Sequence, residues 1–90
     1  MPVVIVPTAF RGPTKGAERI EVEASTVGDS IRAVEAQYPG FQAQCLDAAG
    51  EQHKFIKLTL NGEILDANES VRTAIDAADE VEVVAAVAGG

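Results

Sequence analysis

The most chemically suggestive part of this 90-residue sequence is its last six residues, Ala85-Ala86-Val87-Ala88-Gly89-Gly90. Read as a C-terminus, they place the final carboxylate on two glycines behind small side chains. Glycine makes up about 7% of average composition, so a terminal pair arises by chance in roughly 0.5% of chains. A frayed end, which most domains have, asks for no particular residue. Glycine has no Cβ, so an extended Gly-Gly end can enter a channel too narrow for any side chain and offer its carboxylate at the bottom. Six extended residues reach ~20 Å, enough to cross an enzyme's entrance while the globular body stays outside. A carboxylate is a poor electrophile until it becomes a mixed anhydride, and adenylation by ATP is the common biological route. On this reading Gly90 carries the chemistry and Gly89 lets it reach, and the tail is a substrate rather than a catalyst.

The other reactive side chains are isolated. Cys45 is the single cysteine and His53 the single histidine, which excludes an internal disulfide framework and a thiolate or imidazole metal cluster built from this chain. The neighbours of Cys45, Gln44, Leu46 and Asp47, offer no cation to stabilise a thiolate, so it reads as an inert small hydrophobe rather than as the holder of the sulfur. His53 has no matching nucleophile and reads as a loop residue. There is no Gly-rich phosphate loop, and no large pocket is expected in so small a domain, so an enzyme in its own right is the weakest reading and no bound cofactor is expected.

Charge narrows the partners. Fourteen acidic residues against seven basic ones give a net charge of −7, which repels phosphate backbones, and four aromatic residues supply no stacking platform for bases. Nucleic acid is excluded on these grounds and a protein partner expected. Asp66, Glu69, Asp76, Asp79, Glu80 and Glu82 make the second half acidic; they read first as a solvated face that aids solubility, and alternatively as a docking feature that steers the chain toward basic ground on its partner while an uncharged patch including Phe10 or Val84 makes the main contact. The longest apolar runs, Val3 to Val6 and Val83 to Ala88, fall far short of the ~20 residues that span a bilayer, and no basic segment leads into a hydrophobic signal core. The expected location is the cytoplasm.

The elements that must position the tail follow from periodicity. With 47% hydrophobic residues the chain can bury a core as one domain, expected over residues 1–84, with an extended tail over 85–90. Val3 to Val6 is continuous and β-branched, the pattern of a strand covered on both faces, and Pro7 closes it. Residues 8–17 read as a hairpin-like connection, after which residues 19–24 alternate, with Ile20, Val22 and Ala24 on one side. Thr26 caps a helix in which Asp29 reaches back as in a capping box; Val27, Ile31, Val34 and Tyr38 form its apolar stripe while Asp29, Arg32 and Glu35 point outward. Pro39-Gly40 stops it. From Phe41 to Gln52 the signals conflict, with one short helical turn around Cys45-Leu46 and then a loop, and no element is assigned. Residues 55–60 form a strand with Ile56, Leu58 and Leu60 on one face and Phe55, Lys57 and Thr59 on the other; Asn61-Gly62 makes a two-residue hairpin turn into residues 63–65. Asn68 or Ser70 caps one or two helical turns containing Val71, Ala74, Ile75 and Ala78, and residues 81–84 form the last strand. The order β, β, α, β, β, short helix, β predicts an α+β fold of the β-grasp, or ubiquitin-like, type: a mixed sheet with one main helix packed across it.

A β-grasp order ending in Val87-Ala88-Gly89-Gly90 resembles the ThiS/MoaD family of ubiquitin-like sulfur carriers over the whole chain. Val6-Pro7-Thr8, Phe10-Arg11, Thr14 to Gly16, Phe55 and Asn61 bring it closest to the carriers of that family that serve cysteine biosynthesis. The resemblance implies that an adenylyltransferase similar to ubiquitin-activating enzymes joins AMP from ATP to the carboxylate of Gly90, and that sulfur then displaces AMP to leave a thiocarboxylate. Gly89, Ala88, Val87 and Phe10 are the implied partner-binding residues. The implied sulfur acceptor is a synthase, of the cysteine synthase type first and the large subunit of molybdopterin synthase second. A ubiquitin-like modifier, which forms an amide with a partner's lysine through the same tail, is the alternative from shared fold, and a plain interaction module with incidental glycines is another.

Overall fold

A computed structural model of the chain describes residues 1–86. Five strands, β1 (Val3–Ile5), β2 (Arg19–Glu21), β3 (Ile56–Leu60), β4 (Glu63–Ile64) and β5 (Glu80–Ala85), form one sheet in the order β2-β1-β5-β3-β4. β1 and β5 run parallel at its centre, with Ile5 opposite Glu82, and the other pairs are antiparallel. The helix α1 (Val27–Gln37) lies across one face, followed by the single turn α2 (Gln42–Cys45). This is the mixed-sheet, one-helix β-grasp arrangement expected from the element order.

The core forms where the period-2 faces of the strands meet the stripe of α1. Val4, Val6, Leu58, Val81 and Val83 from the sheet and Val27, Ile31 and Val34 from the helix are all completely buried, with Phe41 and Cys45 closing one end. β1 departs from the expected pattern. Val4 and Val6 are buried, but Val3 and Ile5 are half-buried, because only one face of the sheet carries a helix. β2 ends at Glu21 rather than continuing to residue 24, although Val22 stays buried and its N–H reaches the Pro2 carbonyl at 3.0 Å.

Other departures have local causes. Thr26 caps α1 as expected, its Oγ1 accepting the Asp29 N–H at 3.1 Å. The Asp29 carboxylate does not complete a capping box; it takes the Arg32 guanidinium at 3.2 Å and faces the Ser25 hydroxyl at 3.5 Å. Glu35 does not point to solvent. It is half-buried, and its carboxylate accepts the Gly40 N–H at 3.1 Å and the Gln42 N–H at 2.9 Å, tying the end of α1 to the start of α2. The connection over residues 8–17 is no simple hairpin loop: it contains a 3₁₀ turn at Thr8–Phe10, Arg11 Nε donates to the Val6 carbonyl at 2.8 Å, and the buried Thr14 hydroxyl donates to the Ala17 carbonyl at 3.1 Å.

The expected helical turns through Ala78 shrink to one 3₁₀ turn, Ser70–Arg72. Ser70 does not cap it; its buried hydroxyl donates to Gln52 Oε1 at 2.6 Å. From Thr73 the chain runs extended beside the entry of α1, where the Val27 N–H meets the Thr73 carbonyl at 2.9 Å and the Ile75 N–H meets the Ser25 carbonyl at 3.1 Å. Pairing there satisfies one of the N–H groups a helix start leaves unpaired, which a further helical turn at 73–78 could not do.

Candidate functional site

The candidate site is the root of the tail, and three strands position it. β5 lies between β1 and β3; it is paired with β1 as far as Ile5 opposite Glu82, and with β3 alone from there to Ile56 opposite Ala85. One further bond follows: the Ala86 N–H donates to the Phe55 carbonyl at 2.9 Å. The ladder therefore continues past Val84, where the sequence alone placed the limit of the globular body. Val87, Ala88, Gly89 and Gly90 lie outside the described residues.

β1 and β5 are parallel and β3 is antiparallel to β5, so the turn after β1, the start of β3 and the end of β5 share one end of the sheet. That end holds Phe10, Phe55 and Ala86. Phe10 closes the Thr8–Phe10 turn, half-buried against the core cluster, so part of its ring serves packing. Phe55 is 72% exposed. It precedes β3 with the parity of the exposed Lys57, which stands opposite the half-buried Val84; the expected alternation does not run the length of the strand, since Thr59, of that same parity, is buried. Sequence reading gave Phe55 no contact role; the signal was the alternation of residues 55–60, which puts an aromatic ring on the wet face.

The other reactive groups lie elsewhere. Cys45 is completely buried at the end of α2, and loss of hydration there pushes its thiol up to about 12. Such a thiol has no thiolate to offer near neutral pH. His53 is half-buried, with its Nε2 3.0 Å from the Ala43 carbonyl oxygen. It borders an open hollow of about 550 Å³ beside α2 that also includes Glu35, Leu46 and Asp47 and no residue of β5. Among the described residues no group of three or more His, Cys, Asp or Glu side chains could hold a metal ion, and no helix is long and apolar enough to cross a membrane.

The acidic second half is partly engaged within the molecule. Glu80 pairs with Arg19 at 2.6 Å, which raises the Arg19 pKa. Asp79 accepts the Asn61 Nδ2–H at 3.0 Å and the Asp76 N–H at 2.7 Å, which together hold its carboxyl below the usual range. Asp66, Glu69 and Asp76 remain exposed.

The chain matches the ThiS family over residues 4–90. It is 33% identical over 89 residues to the sulfur carrier protein CysO of Mycobacterium tuberculosis, an alignment covering 97% of this chain and 96% of that protein. It is 35% identical over 72 residues to small archaeal modifier protein 3 of Haloferax volcanii, covering 80% and 76% respectively. In three dimensions it superposes on a chain of the Amycolatopsis orientalis BexX/CysO complex with a TM-score of 0.89 at 28% identity, covering all of both chains. A sheet whose central strand runs into a Gly-Gly sequence, on a fold and sequence shared with these relatives along nearly the whole chain, identifies this protein as a member of the ThiS family.

Proposed function

We propose that the protein is a sulfur carrier whose Gly90 carboxylate is adenylated and then converted to a thiocarboxylate. A carboxylate oxygen attacks the α-phosphorus of ATP, pyrophosphate leaves, and the acyl adenylate loses AMP to hydrosulfide. The carbon–sulfur bond that forms replaces the carbon–oxygen bond to AMP, and no electrons are exchanged. The ATP belongs to the partner adenylyltransferase, an enzyme resembling ubiquitin-activating enzymes; the carrier binds no cofactor of its own. The observation that carries this reading is the family match extending through Gly90, together with a β5 held in the sheet as far as Ala86.

The sulfur acceptor in this reading is a synthase of the cysteine synthase type. The relatedness to CysO supports it; the complex of the Amycolatopsis CysO with a second protein, BexX, supports a protein partner without indicating its type. The molybdopterin alternative, in which this chain is the small subunit of molybdopterin synthase, has no comparable support. A second reading, a protein modifier joined to lysine through Gly90, is favoured by the relatedness to an archaeal modifier protein.

Intact-mass measurement on the protein from its native host, before and after a thiocarboxylate-selective alkylating reagent, tests these readings. A mass raised by exchange of one oxygen for sulfur, located on Gly90 and retained in Cys45→Ser, is the expected result. High-mass conjugates with an intact oxygen carboxylate in the free pool favour the modifier, and an unmodified chain inert to ATP and the host's adenylating enzymes overturns both.

A further inference from the structure

The end of the sheet that holds the tail root differs in charge from the rest of the molecule. Among the described residues all four arginines are paired with carboxylates, Arg11 with Glu18, Arg19 with Glu80, Arg32 with Asp29 and Arg72 with Glu51. No lysine is. All three lysines are exposed, and two of them, Lys54 and Lys57, lie on either side of Phe55 in the sequence. A 72%-exposed phenylalanine beside unpaired cations, in a chain of net charge −7, is a local reversal of the surface's character. Nothing in the fold requires it, since Phe55 contributes only its backbone carbonyl to the ladder.

We infer that Phe55, with Lys54 and Lys57 beside it, is the anchor by which the adenylating enzyme seats this carrier: the ring enters an apolar recess at the mouth of the tail channel, and the lysines meet carboxylates on its rim. This rests on the reading of Gly90 as the reacting residue. Four residues separate Ala86 from that carboxylate, a reach of at most ~14 Å. An enzyme that holds Gly90 at its active centre must therefore bring its surface up to the residue hydrogen-bonded to Ala86, which is Phe55. Phenylalanine is enriched in the cores of protein interfaces and charge in their rims, and a largely exposed ring with lysines next to it in the chain has that composition. The occupant is set by charge: the lysines ask for an acidic rim, whereas the exposed carboxylates elsewhere steer at longer range.

The test is ATP–pyrophosphate exchange by the host's adenylating enzyme as a function of full-length carrier concentration, with thermal unfolding and sedimentation run on the same samples. Phe55→Ala is expected to raise the KM for the carrier about tenfold or more while kcat stays within about twofold, because the ring lies away from the reacting atoms. Phe55→Leu recovers most of that loss, and Lys54→Glu with Lys57→Glu raises KM most at low ionic strength, the gap to the wild type narrowing as salt screens the new repulsion. The unfolding temperature stays unchanged because the ring is exposed. Exchange with the wild type but a KM for Phe55→Ala and the lysine pair within twofold of it overturns the anchor alone. A wild-type dimer that Phe55→Ala dissociates, with KM unmoved, overturns it in favour of a second copy as occupant. No exchange with the wild type overturns the carrier reading and the anchor together.

Discussion

Gly28 in the first turn of α1 sits so close to Val71 that a Cβ built on it would lie 2.9 Å from the Val71 carbonyl oxygen. The two residues are buried and join the start of the helix to the 3₁₀ turn at Ser70–Arg72. The contact is to backbone, so it cannot be relieved by a side-chain rotation. Gly28→Ala gains about 1 kcal/mol of helix propensity and incurs about 1–3 kcal/mol of overpacking. The net expectation is a destabilisation of about 1–2 kcal/mol, read as a lower urea midpoint with an unchanged slope. A raised midpoint would show that the turn yields freely.

Glu35 makes a second connection of this kind. Its carboxylate receives N–H groups from Gly40 and Gln42, so it stands where the helix end would otherwise leave the chain reversal unsupported. Glu35→Ala removes a charged acceptor from both donors and should lower stability by about 1–2 kcal/mol, while Glu35→Gln, which keeps one acceptor oxygen, should cost less. Equal effects of the two substitutions would mean that water replaces the carboxylate without penalty.

These two residues also mark what a linear reading of the sequence reaches. The strands and the main helix are legible because their signals are periodic and local: Thr26 sits before a stripe at Val27, Ile31, Val34, and residues 55–60 alternate into Asn61-Gly62, whose φ angles of 51° and 88° suit the hairpin turn. Glu35 looks like any outward helix residue until Gly40 and Gln42 fold back over it. The 73–78 segment has helical composition but pairs with Ser25–Val27, a partner some fifty residues away in sequence that no local propensity reveals. The Gly-Gly end is a reading from residue type alone and lies outside the described residues, whereas Phe55 needed the register of β3 against β5 to place it at the root.

Asn61 predicts a pH dependence. It donates to Asp79 Oδ1 and accepts the Glu80 N–H at 2.9 Å, locking the β3–β4 turn to the residues that launch β5. The bonded Asp79 carboxylate has a depressed pKa in the folded protein, so its contribution to stability is present above the ordinary carboxylate value of about 3.9 and is lost as pH falls through the depressed value. Asn61→Gly keeps the positive φ and removes the side chain. Its stability deficit should be larger at pH 7 than at pH 2.5 in urea titrations; a deficit independent of pH would assign the effect to the turn backbone alone.

Gly89→Ala separates the tail from the fold. Among the described residues the core cluster reaches no further along the chain than Val83, and on the expectation that residue 89 stays outside it a methyl group there should leave the unfolding temperature within experimental error of the wild type. In the proposed chemistry the same methyl group must pass a channel fitted to glycine, and adenylation of Gly90 should fall by at least about tenfold. Normal adenylation of the variant would remove the narrow channel from the mechanism and leave the carboxylate as the only requirement.

In the proposed chemistry sulfur rides on Gly90, and the complete burial of Cys45 argues against the one cysteine as its carrier. With a thiol pushed up to about 12, only about one Cys45 in ten thousand is a thiolate at pH 8, against about a quarter for an exposed cysteine. Iodoacetamide should therefore label the folded protein at least about a hundredfold more slowly than the urea-unfolded chain. The sign of the linkage is the reverse of that for Asp79: a thiol whose pKa is raised on folding stabilises fully below the unfolded value of about 8.5 and loses that stabilisation as pH climbs toward 12. Cys45→Ser should place a hydroxyl in the same apolar site, lower stability by about 1–3 kcal/mol and leave the mass increase on Gly90 intact. Rapid alkylation of the folded chain, or loss of the sulfur-bearing species in Cys45→Ser at a temperature where the variant remains folded, would move the sulfur from the tail to the core.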